Sequence, residues 1–135
     1  TDTEDRNKLL SLIESYQDIK IDLPKFNYFN HVSLYWKKIK EIKYISDSRE
    51  NKMEAFLANL SDFQKSNWPT LLTHHDLKAN ILVTDNGYKI IDWEYAGNGF
   101  HDFDRYSMGL IEENEMIDDL IIVMNELWTE INYQN

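Results

Sequence analysis

Between Leu71 and Gly97 the chain reads LLTHHDLKANILVTDNGYKIIDWEYAG, in which histidines, acids and an asparagine surround two short apolar runs. Asp76 and Asn80 stand at the entrance of the first run and Asp92 at the exit of the second. If the two runs are adjacent antiparallel strands, the turn between them brings these three side chains to one end. One carboxylate is then available to orient a hydroxyl as a base, while an amide oxygen and a second carboxylate offer hard oxygen ligands for Mg²⁺. A base beside such ligands is the minimum set for phosphoryl transfer, where positioning and charge neutralisation do most of the catalysis. Each residue also has an ordinary use: an aspartate beside a hairpin caps a turn, and His74 and His75 can bond to backbone. The joint placement of Asp76, Asn80 and Asp92 is what points to chemistry.

The elements that must hold these groups follow from periodicity. Ile81 to Thr84 and Tyr88 to Ile91 are rich in β-formers, and Asp85-Asn86-Gly87 between them predicts a tight hairpin. Upstream, Leu9, Leu12, Ile13 and Tyr16 recur at helical spacing after a start near Asp2 or Thr3, predicting a helix to about Lys20. After a break around Pro24, Val32, Tyr35, Trp36, Ile39 and Ile42 form a second apolar stripe, and Met53, Phe56, Leu57, Leu60 and Phe63 a third. Beyond a loop holding Gly97 and Gly99, helical spacing returns near Asp102 and is clear from Ile117 through Ile131. The expected outline is helices, one hairpin, helices.

The run His74-His75-Asp76-Leu77-Lys78-Ala79-Asn80, followed by Ile90-Ile91-Asp92-Trp93-Glu94-Tyr95-Ala96-Gly97, resembles the catalytic loop and metal-binding segment of the kinase-like small-molecule phosphotransferases. That group holds the aminoglycoside phosphotransferases and the choline and ethanolamine kinases. The second run, with Asp104 after it, is most similar to choline kinases, including bacterial ones that make phosphocholine for surface glycans. The resemblance implies that Asp76 is the catalytic base, that His74 braces the loop, and that Asn80 and Asp92 hold Mg²⁺ for ATP. It places Glu94 and the region near Asp104 at the substrate side, where Trp93 and Tyr95 are further candidates from their residue type. The implied fold is mainly α with a small β-hairpin (α+β), the C-terminal lobe of a protein-kinase-like fold, with residues 1–135 forming a single domain. Two departures stand out. The interval from Asp76 to Asn80 is four residues, where the family usually has five. All four glycines lie at or after Gly87, so no Gly-rich loop and no lysine strand precede the helices. The expectation is that the ATP-binding N-terminal lobe lies outside this chain and that the isolated lobe is inactive alone.

Composition narrows the partners. A formal net charge of −10 disfavours nucleic acid and anionic membranes and favours a small cationic substrate, with choline, ethanolamine and an aminoglycoside as candidates. Trp93, Tyr95, Phe100, Phe103 and Tyr106 could meet such a cation through cation–π contact, although core packing explains most aromatics. Cysteine is absent and no apolar stretch is long enough to span a bilayer, so a soluble cytoplasmic protein is expected. The sequence does not set the oligomeric state. One rival reading is a catalytically silent kinase-like binding module. Another takes His75-Asp76 as the metal-binding doublet of a phosphohydrolase, with His31 or His101 as further ligands. That fold is all-helical, and the hairpin directly after the doublet argues against it.

Overall fold

The computed structural model describes residues 2–112 and 114–133, which pack as two compact units. Length points to one domain, yet each unit is built from two separated stretches of chain. The first combines the segment up to Phe26 with Trp68 onward to residue 112, and the second combines Asn27–Asn67 with the segment from Asn114.

The first unit opens with α1 (Asp2–Gln17) and continues through β1 (Thr70–Thr73), β2 (Ile81–Thr84), β3 (Gly87–Ile90), β4 (Gly97–Phe100) and the short α4 (Phe103–Ser107). The hairpin forms where the β-formers and the Asp-Asn-Gly turn place it: β2 and β3 pair antiparallel with Ile81 opposite Ile90 and Thr84 opposite Gly87. Gly87 adopts φ +115°, and a Cβ there would meet nothing within 4 Å, so the turn needs glycine for its backbone angle and not for space. A second two-stranded sheet appears where a loop was expected, with β1 and β4 pairing antiparallel from Thr70 opposite Phe100 to Thr73 opposite Gly97. Gly97-Asn98-Gly99 has no alternation of apolar side chains to announce a strand. A Cβ on Gly97 would come within 3.1 Å of the Phe26 ring, which explains glycine at that position by close packing. The core of this unit encloses Ile13, Tyr16, Leu77 and Leu110, with Leu9, Leu10, Leu72, Ile81, Ile90 and Met108 against them. Leu77 is fully buried, so the residue directly after Asp76 anchors the polar loop in the core.

The second unit is helical: α2 (Tyr28–Ile42), α3 (Asp47–Lys65) and α5 (Glu115–Asn132). Each begins at a side-chain cap that satisfies an otherwise unpaired amide: Asn27 accepts from Asn30 N, Ser46 from Arg49 N, and Asn114 from Ile117 N. The predicted stripes face inward at Val32, Trp36, Ile39, Leu60, Ile117, Leu120 and Leu127, all buried. On the outside Glu130 of α5 ties the helices together. It receives both guanidinium nitrogens of Arg49, at 2.8 and 2.5 Å, and Lys43 Nζ at 2.6 Å, while Arg49 stacks on Trp36. Hydrogen bonding from Arg49, opposed by burial and helped by Lys43, holds the Glu130 carboxyl down at about 2. Because that value lies below the ordinary 4.5, the contribution to stability is complete above about 4.5 and is lost as pH falls through about 2. Glu130→Gln is therefore expected to lower the stability of this unit by about 1 kcal/mol at neutral pH. The variant and the native chain should converge in denaturant melts taken below about pH 2.

Candidate active site

The site lies in the first unit, on the loop after β1 and the segment after β3. His74, at the end of β1, is fully buried, and its ring has a defined tautomer. The Asp76 backbone N–H donates to His74 Nδ1 at 3.0 Å, so the ring proton sits on Nε2, which donates to the Ile91 carbonyl at 2.9 Å. One imidazole thus joins the amide of Asp76 to the peptide that leads into Asp92. The preceding peptide is held as well, because Ile91 N donates to the Asn80 carbonyl at 3.0 Å. Asp92 follows at once, exposed and at φ +58°, a left-handed conformation that aspartate tolerates better than most residues.

Asp76 is gripped at three atoms. Besides its N–H, its carbonyl accepts from Asn80 Nδ2 at 2.8 Å and its Oδ2 accepts from the same nitrogen at 3.1 Å. The four-residue interval makes this possible: Asn80 N donates to the Leu77 carbonyl at 2.9 Å, closing a turn that folds the amide back over Asp76. With Nδ2 committed to Asp76, Asn80 Oδ1 is left as an acceptor. Asp76 Oδ1 and the Asp92 carboxylate likewise carry no hydrogen bond among the described residues. The structure therefore joins Asp76 to Asn80 directly and ties Asp92 to both through the Ile91 peptide, not through its side chain.

Asp104, assigned by resemblance to the substrate side, has no exposed surface. Its Oδ2 accepts from His74 N at 2.7 Å and from Tyr16 Oη at 2.5 Å, and its Oδ1 accepts from His75 N at 3.0 Å. Burial pushes its carboxyl above the ordinary carboxylate range, and the donors from Tyr16, His74 and His75 oppose that push. Burial, followed by the Asp104 charge and hydrogen bond, pushes the Tyr16 phenol strongly upward, so it stays a donor. This carboxylate braces the loop from within and does not face a ligand.

His75, for which the resemblance implies no role, adopts φ +73°. With Asp92 it makes up the non-glycine positive-φ residues among those described, and such strain gathers at functional sites. Its Nδ1–H donates to the Tyr95 carbonyl at 2.8 Å, and its ring lies 4.3 Å from Phe26 and 4.8 Å from Phe103. Trp93 packs edge-on against His74 at 4.7 Å and Tyr16 at 5.2 Å and remains 38% exposed, while Glu94 is exposed and Tyr95 half-buried. The partners of Asp104, and Tyr16 above all, were hidden from sequence reasoning because Tyr16 sits in an apolar stripe that a phenylalanine would complete equally well.

Among the described residues no group of three or more His, Cys, Asp or Glu side chains is placed to hold a metal ion. The donor set that is present, Asn80 Oδ1 and the Asp92 carboxylate, fits Mg²⁺, which is held through one or two protein carboxylates together with waters and substrate phosphates. The phosphohydrolase reading calls for an all-helical fold, whereas the β2–β3 hairpin follows the His75-Asp76 doublet directly.

Replacing Asp104 by asparagine would set an NH₂ group against a buried donor and leave one oxygen where two accept. Asp104→Asn is expected to cost about 1–3 kcal/mol, read as a lowered denaturation midpoint of the first unit.

Comparison with known proteins gives one family. The sequence model of the phosphotransferase enzyme family matches residues 14–118, most of the chain and the whole of the loop and hairpin described above. No curated protein matches it.

Proposed function

The chain belongs to the phosphotransferase enzyme family, and from that premise we propose that it serves the ATP- and Mg²⁺-dependent phosphorylation of a hydroxyl on a small cationic molecule, as choline kinases do. The observation that carries this reading is the Asp76–Asn80 pair. Asn80 Nδ2 bonds both the carbonyl and Oδ2 of Asp76, which fixes the carboxylate while leaving Oδ1 to receive a hydroxyl proton. The same interaction turns Asn80 Oδ1 away from Asp76, where with Asp92 it can serve as a metal ligand.

In the reaction Asp76 orients the acceptor hydroxyl and takes its proton as the oxygen attacks. His74 keeps Asp76 and the Asp92 segment at a fixed separation through its two ring nitrogens. Asn80 and Asp92 would hold Mg²⁺, which with ATP supplies the transferable phosphoryl group and neutralises charge building on it. Trp93, 38% exposed, and the exposed Glu94 next to it in the chain support a cationic acceptor, choline, ethanolamine or an aminoglycoside, through cation–π and charge contacts. On this reading the chain supplies the functions of a kinase-like C-terminal lobe: base, metal ligands and acceptor side. It acts with an ATP-binding lobe and is inactive without one. No helix among the described residues is long and apolar enough to cross a membrane, and the cysteine-free chain suits the reducing cytoplasm in which ATP is available.

The test is Mg²⁺-dependent ADP release by the full-length protein with choline, ethanolamine and a panel of aminoglycosides. Turnover on one acceptor is expected, with Asp76→Asn lowering kcat by about 10²–10⁴-fold. Failure of every acceptor together with failure to bind nucleotide would replace the enzyme by a silent binding module. A second outcome concerns the metal. Asn80→Ala should raise the Mg²⁺ concentration needed for half-maximal rate, and an unchanged Mg²⁺ titration would remove Asn80 from the ligand set.

A further inference from the structure

The phosphotransfer reading leaves unused a buried polar group that touches both halves of the site, the phenol of Tyr16. This residue lies on α1, far from Asp76 in sequence, and is 5% exposed. Its neighbours in the core are apolar, Ile13, Leu77 and Leu110, so packing alone asks for a ring and not for a hydroxyl. A hydroxyl carried into such surroundings is costly unless bonded, and this one donates to Asp104 Oδ2 at 2.5 Å. That oxygen is also the acceptor for His74 N, while the other oxygen takes His75 N.

An aspartate carboxylate turns about χ2 in a broad, nearly two-fold well, so two donors from neighbouring residues of one loop leave its plane free to tilt with that loop. A third donor, fixed on a helix, removes the freedom. The plane is then set by α1, and the loop is held to it at two consecutive amides. The second of those amides belongs to His75, whose left-handed φ of +73° determines how the chain enters Asp76. The ring of Tyr16 meanwhile meets Trp93 edge-on, with an interplanar angle of 88°, directly after Asp92.

We propose that Tyr16 is a positioning residue for phosphoryl transfer: through Asp104 it fixes the His74–His75 turn that presents Asp76, and through Trp93 it supports the segment that presents Asp92. The functional consequence rests on the phosphotransfer reading, whereas the linkage from Tyr16 to the loop stands on geometry alone.

Tyr16→Phe keeps the ring and its contact with Trp93 and removes only the hydroxyl. In the ¹⁵N-labelled 135-residue chain, the His74 and His75 amide signals should move in this variant and their hydrogen exchange should quicken about tenfold, the effect of losing one hydrogen bond. Amides of the β2–β3 hairpin should be unaffected. Unchanged signals and exchange at both histidines in folded Tyr16→Phe would overturn the proposal. If the variant fails to fold, the native chain decides: a slowly exchanging Tyr16 hydroxyl proton with a nuclear Overhauser effect to the His74 amide is expected, and its absence is equally fatal. In the active full-length protein Tyr16→Phe should lower kcat on the order of 10- to 100-fold with KM for the nucleotide unchanged. A rise in KM at constant kcat would refute the positioning role. Altered loop signals in a protein without any phosphotransferase activity would refute the reaction and leave the linkage in place.

Discussion

The carboxylate of Asp104 is the interaction on which the site depends. It is enclosed on every side, it accepts hydrogen bonds from a helix and from two successive amides of the polar loop, and burial would otherwise favour its protonated form. A buried carboxylate is tolerable when its oxygens are filled by well-aligned donors. Here the donors are the groups that must be immobile if Asp76 is to act: the backbone before it. The residue costs desolvation energy and returns order to the loop that carries Asp76.

That order extends outward by short links. His74 receives Asp76 N–H on one ring nitrogen and donates from the other to the Ile91 carbonyl, so the loop is tied to the end of β3. Asn80 closes the loop on Asp76 from the opposite side and accepts from Ile91 N. Leu77 nails the middle of the loop into the hydrophobic core. Asp76, Asn80 and Asp92 are therefore on irregular backbone, but each is next in the chain to a residue fixed by the core or by hydrogen bonds. This is how a loop acquires a fixed geometry without becoming a helix or strand.

How much of this is legible in the sequence depends on which interaction defines a residue's role. Asp76, Asn80 and Asp92 stand out because they flank two runs of β-formers joined by an Asp-Asn-Gly turn, and the hairpin forms as that pattern requires. The helical stripes at Val32, Trp36, Ile39, Leu60, Ile117 and Leu120 are legible for the same reason, since burial follows periodicity. The β1–β4 pair is not, because Gly97-Asn98-Gly99 is selected by a close approach to Phe26 that no local pattern records. Asp104 and Tyr16 are least legible of all. Nothing distinguishes an acid that begins a short helix and points outward from one that turns inward to meet a tyrosine from α1, because the distinction is made by tertiary contacts.

The two left-handed residues show where the fold accepts strain and how it sustains it. A non-glycine residue in this region costs on the order of 1–3 kcal/mol. At His75 the cost is offset by an amide bond to a charged acceptor, of about 1.5–3 kcal/mol, with the ring bond to Tyr95 and the flanking Phe26 and Phe103 rings in addition. At Asp92 the preceding residue, Ile91, is held at both its N–H and its C=O, yet the Asp92 side chain itself is exposed and makes no hydrogen bond among the described residues. The contrast separates two kinds of strained position. His75 is held by its own contacts and is structural. Asp92 is held by its neighbours, with its carboxylate left uncommitted, and that is the arrangement expected of a group kept in place for a ligand.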